Sequence, residues 1–286
     1  MPELPEVETI KSFLAPNLEE AKITKLILRR KNLRFDFPKS FQKNLEGQKI
    51  TQIKRRAKYL LFELSNGATL ISHLGMSGNF RIKNENLDNL TLKKHDHVIM
   101  SLINKQGKDL TLLYYDPRRF GFMDISFDIK NNKFITKLGI EPFDEIFNAS
   151  YLAQKFKGRN SSIKSALLDQ QIVAGLGNIY VCEALYRSGI HPITKVKNLV
   201  TKEDLPTKKL ELLVPSIIAI LKEAIIAGGS TLKDFSNANG EKGYFQHSFD
   251  VYGRNNKECK SKNCSNKITK IEQSNRSSFF CDKCQT

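Results

Sequence analysis

Hydrophobic residues change their period partway along the chain. From residue 22 to about 127 they come in short or alternating runs: "KITKLILRR", "KYLLFEL", "ATLISHL", "VIMSLI", "LTLLYY" and "GFMDISF". Alternation buries one face of a strand, and turn signals separate the runs, among them Asn66-Gly67, a hairpin cue. The expectation is an antiparallel sandwich or barrel. From about 150 to 228 the spacing becomes helical, as in "SSIKSALLDQQIV", "GNIYVCEALYRSG" and "KKLELLVPSIIAILKEAIIAGG". The sequence thus predicts an α+β multidomain chain. Its parts are a β-sandwich with an N-terminal helix over 1–135, a linker over 136–150, a helical domain with a long Gly/Asn/Ser loop over 151–245, and a C-terminal unit over 246–286.

That last unit is set by cysteines. Cys259 and Cys264 form C-x4-C; sixteen residues later, Cys281 and Cys284 form C-x2-C. Each pair suits one knuckle, and two knuckles close a tetrahedral zinc site. The surrounding "KECKSKNCSNKITK" is too polar to bury four unligated thiols, so one structural Zn and a zinc ribbon are expected. Cys182, alone in an apolar run, fits an inert buried thiol.

Among 286 residues, 46 Lys+Arg face 30 Asp+Glu, a net charge of +16. That excess costs self-repulsion, which a polyanion such as nucleic acid would offset; a Lys-rich composition that only decorates the surface explains it equally well. No run approaches the roughly 18 apolar residues of a membrane span, and the acidic N-terminus lacks a signal-peptide layout. The expected address is the cytoplasm or its nucleoid, with no membrane partner.

Three stretches carry chemistry. In "DQQIVAGLGNIYVCEALYRSGIHP", Gly175 and Gly177 permit close backbone approach and Asn178 suits an N-cap, so a helix N-terminus faces an anion. Upstream, Ser161 suits the cap of a helix containing Lys164, giving a helix-two-turn-helix element; a simple turn explains "GLGN" as well. In the β half stand Lys58, His73, Met76, His95, Arg118, Arg119 and Phe120, where cations can meet phosphates and an apolar tip can wedge into a base stack. Taken singly, Lys58 also fits a solvated strand lysine, Met76 core filler and His95 a turn hydrogen-bonder.

The third stretch is "MPELPEVE". Removal of Met1 before the small Pro2 would expose a secondary amine with a pKa of about 8, partly neutral and nucleophilic near neutrality. Such an amine can attack a sugar C1′ and form an iminium. Glu3 can act as general acid on the ring oxygen, and Glu6, one turn on, can position the site. Pro5 in a first helical turn explains the helix start but not Pro2-Glu3.

In this order, "PELPEVET", "RRAKYLL", "HLGMSG", "KHDH", "DPRRFG", "GLGNIY", "GIHP", "GGSTLKDF", "VYGR" and the ribbon make the whole chain resemble the formamidopyrimidine-DNA glycosylase family of bacterial base-excision repair. The resemblance implies a bifunctional glycosylase/AP lyase that removes oxidised purines from double-stranded DNA; a monomer is the default expectation. By it, Pro2 forms the Schiff base and Glu3 donates a proton in base release. Lys58 serves β-elimination and Arg276 δ-elimination. Lys58, His73, Asn178 and Arg276 grip the phosphates flanking the lesion; His95, Arg118 and Arg159 make further DNA contacts. Met76, Arg118 and Phe120 fill the space left by the flipped nucleotide, and residues from about 230 to 245 close over it.

Two features depart from the family or bear on this reading. The first knuckle is C-x4-C where the family usually has C-x2-C, and a chain that keeps Met1 has an amide in place of the nucleophile. Leu4 argues against the pyrimidine-preferring endonuclease VIII branch, which usually has Gly there. A non-catalytic zinc-ribbon DNA-binding module would keep the ribbon and the charge but has no need of Pro2-Glu3.

Overall fold

A computed structural model describes residues 1–230 and 244–286. The chain divides into two compact units: Met1–Thr136 with Ala227–Tyr244, and Lys137–Ile226 with Phe245–Thr286.

The first unit opens with helix α1 (Leu4–Leu18) and strand β1 (Lys22–Leu28), followed by the short helix α2 (Phe41–Leu45). Strands β2 (Ile50–Arg56), β3 (Tyr59–Leu64), β4 (Thr69–His73), β5 (Asn79–Lys83), β6 (Asp96–Ile103), β7 (Asp109–Tyr115) and β8 (Phe122–Ser126) follow. They form two antiparallel four-stranded sheets, ordered β1-β6-β7-β5 and β2-β3-β4-β8. Alternating residues of both sheets, including Phe62, Leu70, Phe80, Met100 and Leu112, meet Val7, Ile10, Leu14 and Leu18 of α1 in one core. The α1 residues recur at helical spacing, so one stripe of the helix joins the sheets.

The turns bear on the site. Asn66-Gly67 does close a hairpin, β3–β4, but through a longer loop in which Leu64 N–H bonds Ala68 O at 2.9 Å. The tightest connection in that sheet is Ala57-Lys58, between β2 and β3, with Ala57 at φ +53°.

The second unit holds α3 (Ala149–Phe156), α4 (Ile163–Leu168), α5 (Asn178–Arg187) and α6 (Lys208–Ile226), then the hairpin β9 (Thr269–Gln273) and β10 (Arg276–Phe280). The stretch before α3 is built into this unit: Gly139 N–H bonds Gln170 O, and Ala174 N–H bonds Ile140 O, both at 2.8 Å. Two caps differ from expectation. Ser162, not Ser161, caps α4, its Oγ accepting from Ser165 N–H at 3.3 Å. Gly177 takes the cap position of α5, so Asn178 lies inside the helix with its side chain released for another contact. Among the described residues, no helix is long and apolar enough to cross a membrane.

Candidate functional site

In the first unit the site starts at α1. Glu3 precedes the helix in extended backbone, and Pro5 occupies the first turn, where a missing N–H costs nothing. Pro2 is buried, Glu3 is 3% exposed and Glu6 1%. Among the described residues, the Glu6 carboxylate accepts from donors on both Glu3 and Ser230. Oε2 accepts from Glu3 N–H at 2.8 Å, while Oε1 accepts from Ser230 N–H at 2.8 Å and Ser230 Oγ at 2.9 Å. Burying a charge demands such satisfaction. Gly229, at φ +78°, lets the chain approach: a Cβ there would stand 3.2 Å from both Cγ and Oε1 of Glu6. Two residues on, Glu8 meets Arg55 of β2 at 2.6 Å and also bonds Lys11. Burial works to raise the Glu8 pKa, but the hydrogen bonds and charges of Lys11 and Arg55 outweigh it and hold the carboxyl below its ordinary value.

Lys58 sits in the Ala57-Lys58 turn and is 6% exposed, which removes the solvated-strand reading. Tyr59, the next residue, pairs with His73 across β3 and β4. Desolvation, then repulsion from Lys58 and Arg34, lowers the His73 pKa to about 4. Its Nδ1 accepts the Gly75 N–H at 3.1 Å, so the neutral ring carries its proton on Nε2 and can donate there. The ring stacks on Phe122 at 5.4 Å and 17°.

The "DPRRFG" segment is organised by Asp116, which is fully buried. Its carboxylate accepts from Ser77 Oγ at 2.6 Å and Gly121 N–H at 2.9 Å, and its carbonyl takes the His97 Nε2–H at 2.9 Å. Ser77 Oγ in turn accepts from Arg118 N–H at 3.2 Å. The loop carrying Met76 and the loop carrying Arg118 and Phe120 are thereby tied together. A Cβ on Gly75 would lie 2.2 Å from Phe120 C, and one on Gly121 1.8 Å from Tyr114 Oη, so both positions exclude side chains. Phe120 stays 46% exposed under the Arg118 guanidinium, 5.0 Å from its ring centroid. Met76 is half-buried and outside the sandwich core, against the core-filler reading. His95 is half-buried, its ring edge-on to His97 and Tyr115.

In the second unit, Ser274 and Asn275 both take positive φ, the geometry of a two-residue hairpin turn, and deliver Arg276 to an exposed position at the start of β10. The next residue is gripped twice: Asn178 Nδ2 and Lys164 Nζ each donate to Ser277 O at 2.9 Å. Lys164 also donates to Ser278 Oγ at 2.6 Å, and burial pulls its ammonium below the ordinary lysine pKa, with Arg276 acting in the same direction. Asn178 therefore serves the hairpin here, in addition to lying at a helix N-terminus. Arg159 is exposed and pairs with Asp169 at 3.5 Å; among the described contacts none joins it to Asn178 or Arg276. Of the closing loop, only Ser230, Tyr244 and Phe245 are described; residues 231–243 lie outside the described residues.

The four sulfurs of Cys259, Cys264, Cys281 and Cys284 all lie within 4.8 Å of one another, with Cys259–Cys284 at 3.8 Å and Cys264–Cys281 at 3.6 Å. Zn–S bonds of about 2.3 Å in a tetrahedron require S–S edges of about 3.8 Å. The residues fit one structural zinc despite the longer first knuckle.

Sequence reasoning missed Asp116 and Ser77, and it placed Ser230 in the closing loop without its bond to Glu6. Asp116 had a local signal, the Asp-Pro step of a turn; Ser230 had none, since its partner lies 224 residues away.

Family models match along the chain: the formamidopyrimidine-DNA glycosylase N-terminal domain at residues 1–123, the formamidopyrimidine-DNA glycosylase H2TH domain at 138–236, and the zinc finger found in FPG and IleRS at 258–286. The formamidopyrimidine-DNA glycosylases of Rhizobium etli and of a Chelativorans species are 48% and 45% identical, each covering all of both chains. Among solved structures, the Lactococcus lactis Fpg complexed with abasic-site DNA is 35% identical over 99% of both chains, with a TM-score of 0.85. A mutant of the same enzyme complexed with Fapy-dG DNA is 34% identical over the full length of both chains, TM-score 0.87.

Proposed function

Since the chain belongs to the formamidopyrimidine-DNA glycosylase family, a family of base-excision-repair DNA glycosylases, we propose that it removes oxidised purines, 8-oxoguanine and formamidopyrimidines, through a Pro2 Schiff base. The observation that carries the reading is the N-terminal constellation. Pro2 and Glu3 are buried, and the Glu6 carboxylate fixes the Glu3 backbone and reaches Ser230, next to the loop expected to close on the base.

With Met1 removed, the Pro2 nitrogen attacks C1′ of the damaged nucleotide. The N–C bond forms as the glycosidic bond breaks and the Pro2 N–H proton passes to the departing base; Glu3 then protonates the sugar ring oxygen as the C1′–O4′ bond opens. The ring-opened product is an iminium. Loss of the C2′ proton then expels the 3′-phosphate, and a second elimination expels the 5′-phosphate, cutting the strand on both sides. Lys58 acts in the first elimination and Arg276 in the second. Glu6 is a positioning residue in this scheme. Lys58, neutral His73 with its Nε2–H, Asn178 and Arg276 hold the phosphates flanking the lesion, and His95, Arg118 and Arg159 make further DNA contacts. Met76, Arg118 and Phe120 occupy the vacated stack, offsetting an unstacking cost of a few kcal/mol. Zinc supplies no reaction step; it cross-links the ribbon that carries Arg276.

The test is borohydride trapping on a duplex with one 8-oxoguanine opposite cytosine, with the N-terminal residue read by mass spectrometry on the same sample. A covalent adduct from chains starting at Pro2 is the expected result. No adduct despite a free Pro2 and tight binding would overturn the Schiff-base reading in favour of a binding module or another lesion.

A further inference from the structure

One face of α5 is committed to the ribbon. Asn178, Cys182 and Tyr186 are four residues apart and so stack along the helix. Asn178 holds Ser277, Cys182 packs among Cys259, Ile268 and Cys281, and Tyr186 brings its hydroxyl to 3.1 Å from Cys259 Sγ. Distance alone leaves open which atom donates. Chemistry closes the question: a zinc-bound cysteine is a thiolate with no proton to give, so the hydroxyl is the donor.

We propose that Tyr186 is a positioning residue for the structural zinc site, its hydroxyl donating to the Cys259 thiolate and so restraining that sulfur from joining the oxidation that releases the metal. Withdrawal of electron density from a metal-held ligand by an outer hydrogen bond is a general way of tuning a site. Here a second feature gives it work. The sulfur cluster borders a depression of about 350 Å³ lined by Tyr186, Arg187, Asp250, Lys260, Ser261 and Cys284. Lys260 and Ser261 belong to the longer first knuckle, between Cys259 and Cys264. Peroxide is small enough to enter such a space. Oxidation of two thiolates to one disulfide transfers two electrons to hydrogen peroxide, which takes two protons from solvent and leaves as two waters, while Zn²⁺ is released. Cys284 is the sulfur that lines the depression, and the Tyr186 hydroxyl occupies a lone pair of Cys259, 3.8 Å from it, that would close the disulfide once Cys284 is oxidised.

The inference rests on the ribbon's zinc and not on the Pro2 chemistry, so the test reads the metal. Full-length protein and Tyr186→Phe, which keeps the ring and loses only the hydroxyl, are loaded with Co²⁺ and with Zn²⁺. Removing the hydrogen bond makes the thiolate a better electron donor, so the sulfur-to-cobalt charge-transfer band moves to longer wavelength. Zinc transfer to a chromophoric chelator in the presence of peroxide becomes roughly tenfold faster, while transfer without peroxide does not accelerate. A second background, Cys259→His, keeps four ligands but removes the thiolate; there, adding Tyr186→Phe leaves zinc loss unchanged. An unshifted cobalt band with unchanged zinc loss would overturn the proposal. So would an equal acceleration in the Cys259→His background, which would make Tyr186 a packing residue only. If Cys259→His fails to hold metal, the cobalt band of Tyr186→Phe decides by itself.

Discussion

Replacing Glu6 by Gln changes almost no volume yet disturbs the N-terminal constellation at its centre. Among the described residues, the carboxylate, 1% exposed, accepts one hydrogen bond from Glu3 N–H and two from Ser230. A bond to a charged acceptor contributes about 1.5–3 kcal/mol and a neutral one about 1. In Glu6→Gln the amide oxygen can keep both Ser230 donors as neutral bonds, but the amide NH2 then faces the Glu3 N–H, donor against donor. One charge-assisted bond is lost and two are weakened, partly offset by the easier burial of a neutral side chain. The expected net is about 2–3 kcal/mol, or roughly 30- to 150-fold in the local opening equilibrium at 1.36 kcal/mol per decade. Ser230→Ala removes only the hydroxyl bond to the charged acceptor and should cost about 1.5 kcal/mol, roughly tenfold. Amide hydrogen exchange reads this directly: protection at Glu3 and Ser230 should fall by those factors, while amides of β6 and β7 stay unchanged. Unchanged protection at Ser230 in Glu6→Gln, or equal effects of the two substitutions, would refute the account of Glu6 as the shared acceptor.

Other consequences concern pH, metal and packing. The His73 pKa of about 4 lies below the unfolded value of about 6.5, so the unfolded chain binds more protons between them. The group's contribution is full above pH about 6.5 and is lost as pH falls through about 4, a total of about 3 kcal/mol. Urea midpoints should drop more on acidification for the wild type than for His73→Gln; an imidazole NMR titration centred near pH 6.5 would contradict this. Cys281→Ser should release zinc and weaken DNA binding while leaving the sandwich folded; retained zinc by elemental analysis would reject the four-sulfur site. Gly121→Ala places a methyl where Tyr114 Oη stands, at 1.8 Å, and should cost about 1–3 kcal/mol or more in thermal unfolding. Its adduct yield should also fall, because Phe120 is adjacent; wild-type stability would show that the loop relaxes freely.

Local chemistry determined much by itself. The switch of hydrophobic period separates strands from helices because side-chain alternation and helical spacing are properties of adjacent residues. The cysteine pairs specify a knuckle each, and Pro2, Glu3 and Glu6 lie within one turn of a helix start, so their proximity needs no long-range contact. Single residues whose partners are remote were another matter. Lys58 looked like any strand lysine until hairpin pairing placed it, buried, in a two-residue turn beside His73. Asn178 looked like a cap, but the approach of β10 gave its amide a carbonyl 99 residues away. Residues Ala227–Tyr244, continuous in sequence with α6, group instead with the first unit, where Ser230 bonds Glu6. A buried carboxylate must collect donors wherever the fold supplies them, and which donors those are is decided only when chain segments 224 residues apart are brought together.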